Sequence, residues 1–152
     1  RSSDLTGALD DAAANDGFNL VTQQTAEWNA EKAQQIVQSV IDAGTPFNVI
    51  YAENDDMAKG AVAALDKANI SHGVGKDVIV MGFDCNKWAL EELKAGNWNY
   101  DGQCNPFQAS YIDEIIKKLE NGETISEKTI IMDEKGFDAT TITQEDVDNY
   151  GI

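Results

Sequence analysis

The chain has 152 residues and carries 27 Asp and Glu against 11 Lys and Arg, a formal net charge of −16. That length suits one domain or one lobe, and 42% hydrophobic with 25% charged residues is the composition of a folded domain, which excludes wholesale disorder. No apolar run approaches the roughly 20 residues of a bilayer span, and a field of this sign repels phosphate, which disfavours nucleic acid as a partner.

The sequence opens Arg1-Ser2-Ser3, without Met or a signal peptide, and is expected to be a processed product or part of a longer protein. Residues 3–15 place Leu5 and Leu9 at helical spacing, with Gly17 as a stop. Residues 18–24 read as a strand. Residues 29–43 set Ala33, Ile36, Val37, Val40 and Ile41 on one stripe, an amphipathic helix ended by Gly44-Thr45-Pro46. Residues 47–52 are an apolar run expected as a buried strand. A second amphipathic helix is predicted over 55–69, a strand over 77–83, a short helix over 86–95 stopped by Gly96, and a strand over 97–103. Pro106 is placed at the start of a helix running to about Leu119, with Asn121-Gly122 as its stop. Residues 128–132 read as one more strand, and Thr143 to Asp146 as a capping box opening a terminal turn.

Strands alternating with helices of 10–15 residues predict βαβ units. The fold class is therefore α/β: a three-layer, Rossmann-like parallel sheet with helices on both faces. In such sheets small ligands bind just beyond the carboxyl ends of the strands. The residues standing there are Thr25 to Trp28, Glu53 to Met57, Phe83 to Asn86, and Gln103 to Pro106. The Trp28 indole can stack on a sugar face or simply pack on the lobe surface. Asn54 offers a donor and an acceptor together, which suits a hydroxyl. Asp55 and Asp56 complement the dipole of the helix they open. Asp84 can accept two hydrogen bonds from adjacent hydroxyls, cap the next helix, or do both. Gln103 is again a bifunctional amide.

This inventory holds no nucleophile with a base, no Walker loop and no GxGxxG, so no catalytic residue and no enzyme activity is expected. Cys85, Cys104 and the single His72 are too few for a zinc site, and neither metal nor cofactor is expected. His72 reads as a solvated loop residue. An Asp pair such as Asp55-Asp56 could mark a Mg²⁺-dependent phosphoryl receiver, but a third acid and a Lys partner are missing.

The segments TAEW, VIYAENDDM and VMGFD, followed by the Pro-led helix, resemble the sugar-specific periplasmic binding proteins of ABC importers, the ribose/galactose type with a type I fold. The resemblance spans nearly the whole chain and is strongest at residues 47–57 and 77–86. It implies one lobe of a two-lobe protein, with residues 1–152 as the C-terminal lobe, the N-terminal lobe absent, and helix 106–120 belonging with the missing half. It further implies that Asn54 and Asp84 bind sugar hydroxyls, that Trp28 stacks on the ring, that Arg1 donates to sugar oxygens, and that Gln103 is a polar ligand near the hinge.

The implied function is substrate binding for an ABC-type sugar importer. A monosaccharide is held between the lobes and delivered to a membrane permease, with the intact protein exported to the periplasm or cell exterior. LacI-type regulators share the fold and similar segments, so an effector-binding domain of such a regulator is the alternative. With the first lobe absent, the apolar face of helix 106–120 (Tyr111, Ile112, Ile115, Ile116, Leu119) needs another cover, and self-association, as a dimer or by domain swapping, or a retained partner fragment is expected. Export also permits a Cys85–Cys104 disulfide, since both follow the ends of consecutive strands. Two buried free thiols are the other reading.

Overall fold

The computed structural model describes residues 17–126 and 128–152. The helix expected over 3–15, and Arg1 with it, lie outside them. The helix starts follow from short polar side chains. Asn29 opens α1 (Ala30–Asp42) by accepting the Lys32 N–H at 2.9 Å, and Asn54 opens α2 (Asp55–Lys67) by accepting the Met57 N–H at 2.9 Å. Helix α3 is Lys87–Lys94, α4 is Ala109–Glu120, and α5 is Gln144–Tyr150. The capping box read at Thr143 and Asp146 is present at the start of α5.

The strands β1 (Val49–Tyr51), β2 (Ile79–Asp84), β3 (Tyr100–Gln103) and β4 (Gly136–Asp138) form one sheet in the order β1-β2-β3-β4. The first two pairings are parallel and the last is antiparallel. Parallel neighbours need a crossover, and α2 and α3 supply the two crossovers here. Alternation along the strands turns Val80, Gly82, Asp101 and Phe137 to the buried face. Ala58 and Leu65 of α2, with Ala89, Leu90 and Leu93 of α3, close the core over that face. Trp98 fills its centre at 2% exposure and meets Trp88 edge-on, ring centroids 5.8 Å apart.

His72 is not solvated. Its side chain is 12% exposed, Nδ1 lies 2.8 Å from the Asn97 carbonyl oxygen, and Nε2 lies 3.1 Å from Asp66 Oδ1. The Gly73 turn explains this. It packs so closely on the Gly96-Asn97 backbone that a Cβ at Gly73 would sit 2.2 Å from the Gly96 carbonyl oxygen, which draws His72 onto the end of α3.

Three sequence expectations need correction. Residues 18–24 form no strand, and Phe18 and Leu20 are exposed. A strand exists only through a ladder partner, and β1 pairs with β2 alone among the described residues. Residues 128–132 are also irregular, with Ile131 87% exposed. The pairing falls instead on β4, where an antiparallel return brings Phe137 into the core and lets the Gln103 N–H donate to the Lys135 carbonyl at 2.7 Å. Pro106 does not begin a helix. Asn105 Oδ1 accepts the Phe107 N–H at 2.8 Å, which makes a turn, and α4 starts three residues later at Ala109.

Helix α1 lies on α2, and Gly60 makes the approach possible, because a Cβ there would stand 2.0 Å from the Ala30 carbonyl oxygen. Gly60→Ala adds about 1 kcal/mol of helix propensity, yet the steric conflict is expected to leave the chain about 1–3 kcal/mol less stable. Urea unfolding checks this, and a midpoint at or above that of the unaltered chain would show that α1 is not seated through this contact.

Candidate ligand-binding site

The sheet register places the polar residues. Tyr51 is opposite Met81, and Met81 is opposite Tyr100. Asn54, Asp84 and Gln103 each stand three residues beyond one member of that row, so all three reach the carboxyl edge of the sheet together; Asp84 and Gln103 are themselves register partners. Asn54 is 8% exposed and spends its carbonyl oxygen on the helix cap, which leaves its amide N–H groups to donate. Gln103 Oε1 accepts the Lys135 N–H at 3.3 Å. Asp84 is half-buried and is not the cap of α3, a position taken by Asn86.

Beneath this edge Tyr51, Phe83 and Tyr100 form an aromatic row, with centroids 5.2 Å and 6.5 Å apart. Two glycines give it room. A Cβ at Gly102 would be 2.5 Å from the Phe83 ring, and one at Gly136 would be 1.8 Å from the Tyr100 hydroxyl.

The loop after β2 is held in an uncommon backbone shape. Asp84 has φ 131° and Cys85 has φ 62°. Neither residue is glycine, so this conformation costs energy that the surroundings must offset. They do so from two sides. Ile152 donates its N–H to the Cys85 carbonyl at 3.0 Å and accepts the Lys87 N–H at 3.0 Å. Asp55 Oδ2 accepts both the Asn86 backbone N–H, at 2.8 Å, and the Asn86 side-chain amide, at 3.0 Å.

Trp28 stands at the same end of the lobe, since α1 begins beside the second turn of α2. Glu27 and Trp28 have φ 53° and 54°, and the indole is 69% exposed, so it projects into solvent and does not close over the other residues. Arg1 lies outside the described residues.

Cys85 and Cys104 are both thiols, so the disulfide reading is not met. Cys85 is buried and turned inward, with Sγ 3.9 Å from Asp101 Oδ1. Burial and the surrounding carboxylates push its thiol well up, so it stays protonated and unreactive.

Sequence reasoning missed Asp55, Asn86 and Asp101 as determinants of the site. By its place in the first helical turn Asp55 reads as a complement to the dipole, but it is fully buried and bonded to the next loop. Asp101 is also fully buried. The available signal was an Asp at an inward position of a strand, where alternation favours an apolar residue. Among the described residues no group of His, Cys, Asp and Glu has the arrangement of a metal site. The edge can present amides, one carboxylate and an aromatic to a neutral polyhydroxyl molecule.

Residues 4–124 match the family described as periplasmic binding protein domain. The fructose import binding protein FruE of Bifidobacterium longum is 31% identical over 146 residues, covering 95% of this chain and 42% of that protein. A solved ABC transporter periplasmic solute binding protein from Actinobacillus succinogenes with bound D-allose superposes with TM-score 0.76 at 30% identity, covering 95% of this chain and 48% of that one. The Caulobacter myo-inositol binding protein bound to myo-inositol gives TM-score 0.71 at 28% identity, covering 95% and 47%. The chain thus spans less than half the length of each of these relatives. Their folds agree with the layered α/β lobe read from the sequence.

The backbone shape at Asp84 is one that glycine adopts freely. Asp84→Gly is therefore expected to leave the chain about 1 kcal/mol more stable than Asp84→Ala, which loses the same carboxylate but keeps the backbone strain. Urea unfolding measures this. A glycine variant no more stable than the alanine variant would show that the backbone at Asp84 is not strained.

Proposed function

Because the chain belongs to the periplasmic binding protein domain family, we propose that it is the C-terminal lobe of the substrate-binding component of an ABC-type sugar importer. Its ligand is a small polyhydroxylated ring such as a monosaccharide. The observation that carries this reading is the convergence of Asn54, Asp84 and Gln103 on one edge of the sheet, fixed by the pairing register. Asp84 accepts from ring hydroxyls, the Asn54 amide donates to a ring oxygen, and the exposed Trp28 stacks on a C–H face. No step here requires bond making, and the role is binding without catalysis.

In the intact protein a second lobe closes over the ligand, removes it from water and presents the closed form to a membrane permease on the outer side of the membrane. Relatives named for sugar import favour this over the effector domain of a LacI-type regulator. The fructose, allose and myo-inositol named for the relatives have in common a ring bearing several hydroxyls, and that is the ligand class proposed.

The second lobe also accounts for α4. That helix has no buried residue; Tyr111, Ile112, Ile116 and Leu119 are 38%, 51%, 48% and 56% exposed. Ile115, Leu119, Ile125 and Ile130 line a shallow apolar depression beside it. Water-exposed apolar surface of this extent on one face marks an interface, and the first lobe is its occupant. Without that lobe, two copies of the chain cover the face against each other.

Saturation-transfer NMR against D-ribose, D-fructose, D-allose and an amino-acid control tests the ligand class. Transfer to at least one sugar is expected, with an affinity of about 1 mM for a single lobe. Asp84→Ala is expected to weaken it by roughly tenfold or more. Transfer to none of the sugars, or equal transfer to the amino acid, would overturn the reading. Light scattering tests the face. The chain is expected to run as a dimer that Ile112→Glu converts to monomer, and a monomer in the unaltered chain would show that the exposed face does not pair with itself.

A further inference from the structure

Asp55 on α2 and Asp101 on β3 are both fully buried. Asp55 Oδ2 is satisfied by Asn86, whereas Asp55 Oδ1 and Asp101 Oδ2 have no ordinary donor. The sheet explains where these two oxygens go. Gly82 is the register partner of Asp101, and a Cβ at Gly82 would be 2.8 Å from Asp55 Oδ1. The Asp55 carboxyl therefore lies against bare backbone beside Asp101, and the two side chains are within hydrogen-bonding reach of each other. Two carboxylate oxygens are both acceptors and bond only with a proton between them. The titratable groups that act on the pair are Asp84, at the end of β2, and the Cys85 thiol beside it; against them the Asn86 amides donate to Asp55 and the Cys85 backbone N–H donates to Asp101, which favours the charged forms.

We propose that Asp55 and Asp101 share one proton and act through it as positioning residues, holding the Asp84 loop in its ligand-receiving shape, so that sugar binding weakens when the proton is lost. This rests on the sugar-binding reading above. The link to the loop is direct. Asp55 bonds both the backbone and the side chain of Asn86, two residues from Asp84. With the proton present, Asp101 donates to Asp55 Oδ1, and Oδ2 stays on Asn86. With it lost, two buried like charges face each other and Asp84, and any displacement of Asp55 carries Asn86 with it through their two bonds. Burial raises both carboxyls above their ordinary range, and for Asp101 the neighbouring Asp55 charge adds to the effect. The folded chain therefore keeps a proton that the unfolded chain releases, so the pair's contribution to stability falls as pH rises above the ordinary carboxylate range.

The test follows the carboxyl carbons of Asp55 and Asp101 and the Asn86 amide by NMR from roughly pH 4 to roughly pH 10, a window that brackets ordinary and raised carboxyls. D-ribose, D-fructose and D-allose affinities are measured at intervals across it, for the unaltered chain and for Asp101→Asn, whose amide donates permanently. The two carboxyls are expected to titrate as a linked pair above the ordinary range, with the Asn86 amide moving on the upper step. Affinity for whichever sugar binds is expected to fall about tenfold across that step, and in Asp101→Asn the step is absent. Carboxyls that both titrate in the ordinary range overturn the shared proton whatever the sugars do, and this needs no variant. A sugar affinity flat across the step in the unaltered chain overturns the effect on the loop. A linked titration with no sugar bound at any pH overturns the sugar-binding reading and leaves the shared proton standing.

Discussion

The bond from Asn86 to Asp55 Oδ2 joins the first residue of α2 to the loop after β2, across 31 residues of sequence. The candidate site depends on this bond. Asn54 caps α2 next to Asp55, and Asp84 ends β2 two residues before Asn86. Two parallel strands give their ends a common direction but do not fix the loops beyond them. A buried carboxylate that takes two bonds from one residue does. The buried position carries a large desolvation cost, and the conformation at Asp84 and Cys85 adds backbone strain. The arrangement persists because these costs fall where the loop is also gripped by Ile152 and where the core beneath is filled by Trp98.

Glycine is used here to bring backbone and side chains into contact as well as to turn the chain. Gly82 leaves space for Asp55 and Trp98, Gly60 lets α1 touch α2, and Gly102 and Gly136 admit the aromatic row. Each is a place where any side chain would collide with a neighbour that the site needs. Packing this close between a sheet and its helices makes the carboxyl edge a rigid platform, while Trp28 stands exposed at its end.

The helical signal is legible because it is local. Amphipathic stripes and capping residues act within a few positions: α1, α2 and α5 start at their caps, and α3 lies where the spacing of its apolar residues places it. The strands β1, β2 and β3 are legible as short apolar or aromatic runs between helices. The two outer strands expected at 18–24 and 128–132 do not form, and both for one reason. A strand at the margin of a sheet is defined by the neighbour it pairs with, and neither segment carries that information in its own residues. At Pro106 the reason is more local, since the Asn before it makes a competing turn.

The sequence by itself determined the α/β class, the chain order of the helices and of β1 to β3, and the polar residues at the strand ends, because periodicity and residue chemistry are properties of short segments. Only the tertiary structure decided which strand ends lie side by side, that β4 closes the sheet antiparallel, that Cys85 turns inward, and that Asp55 and Asp101 meet under the Asp84 loop. Those outcomes depend on contacts between residues far apart in the chain. Asp55 and Asp101 are 46 positions apart (101 − 55), and nothing in either neighbourhood signals the other until the register of β2 against β3 brings them together.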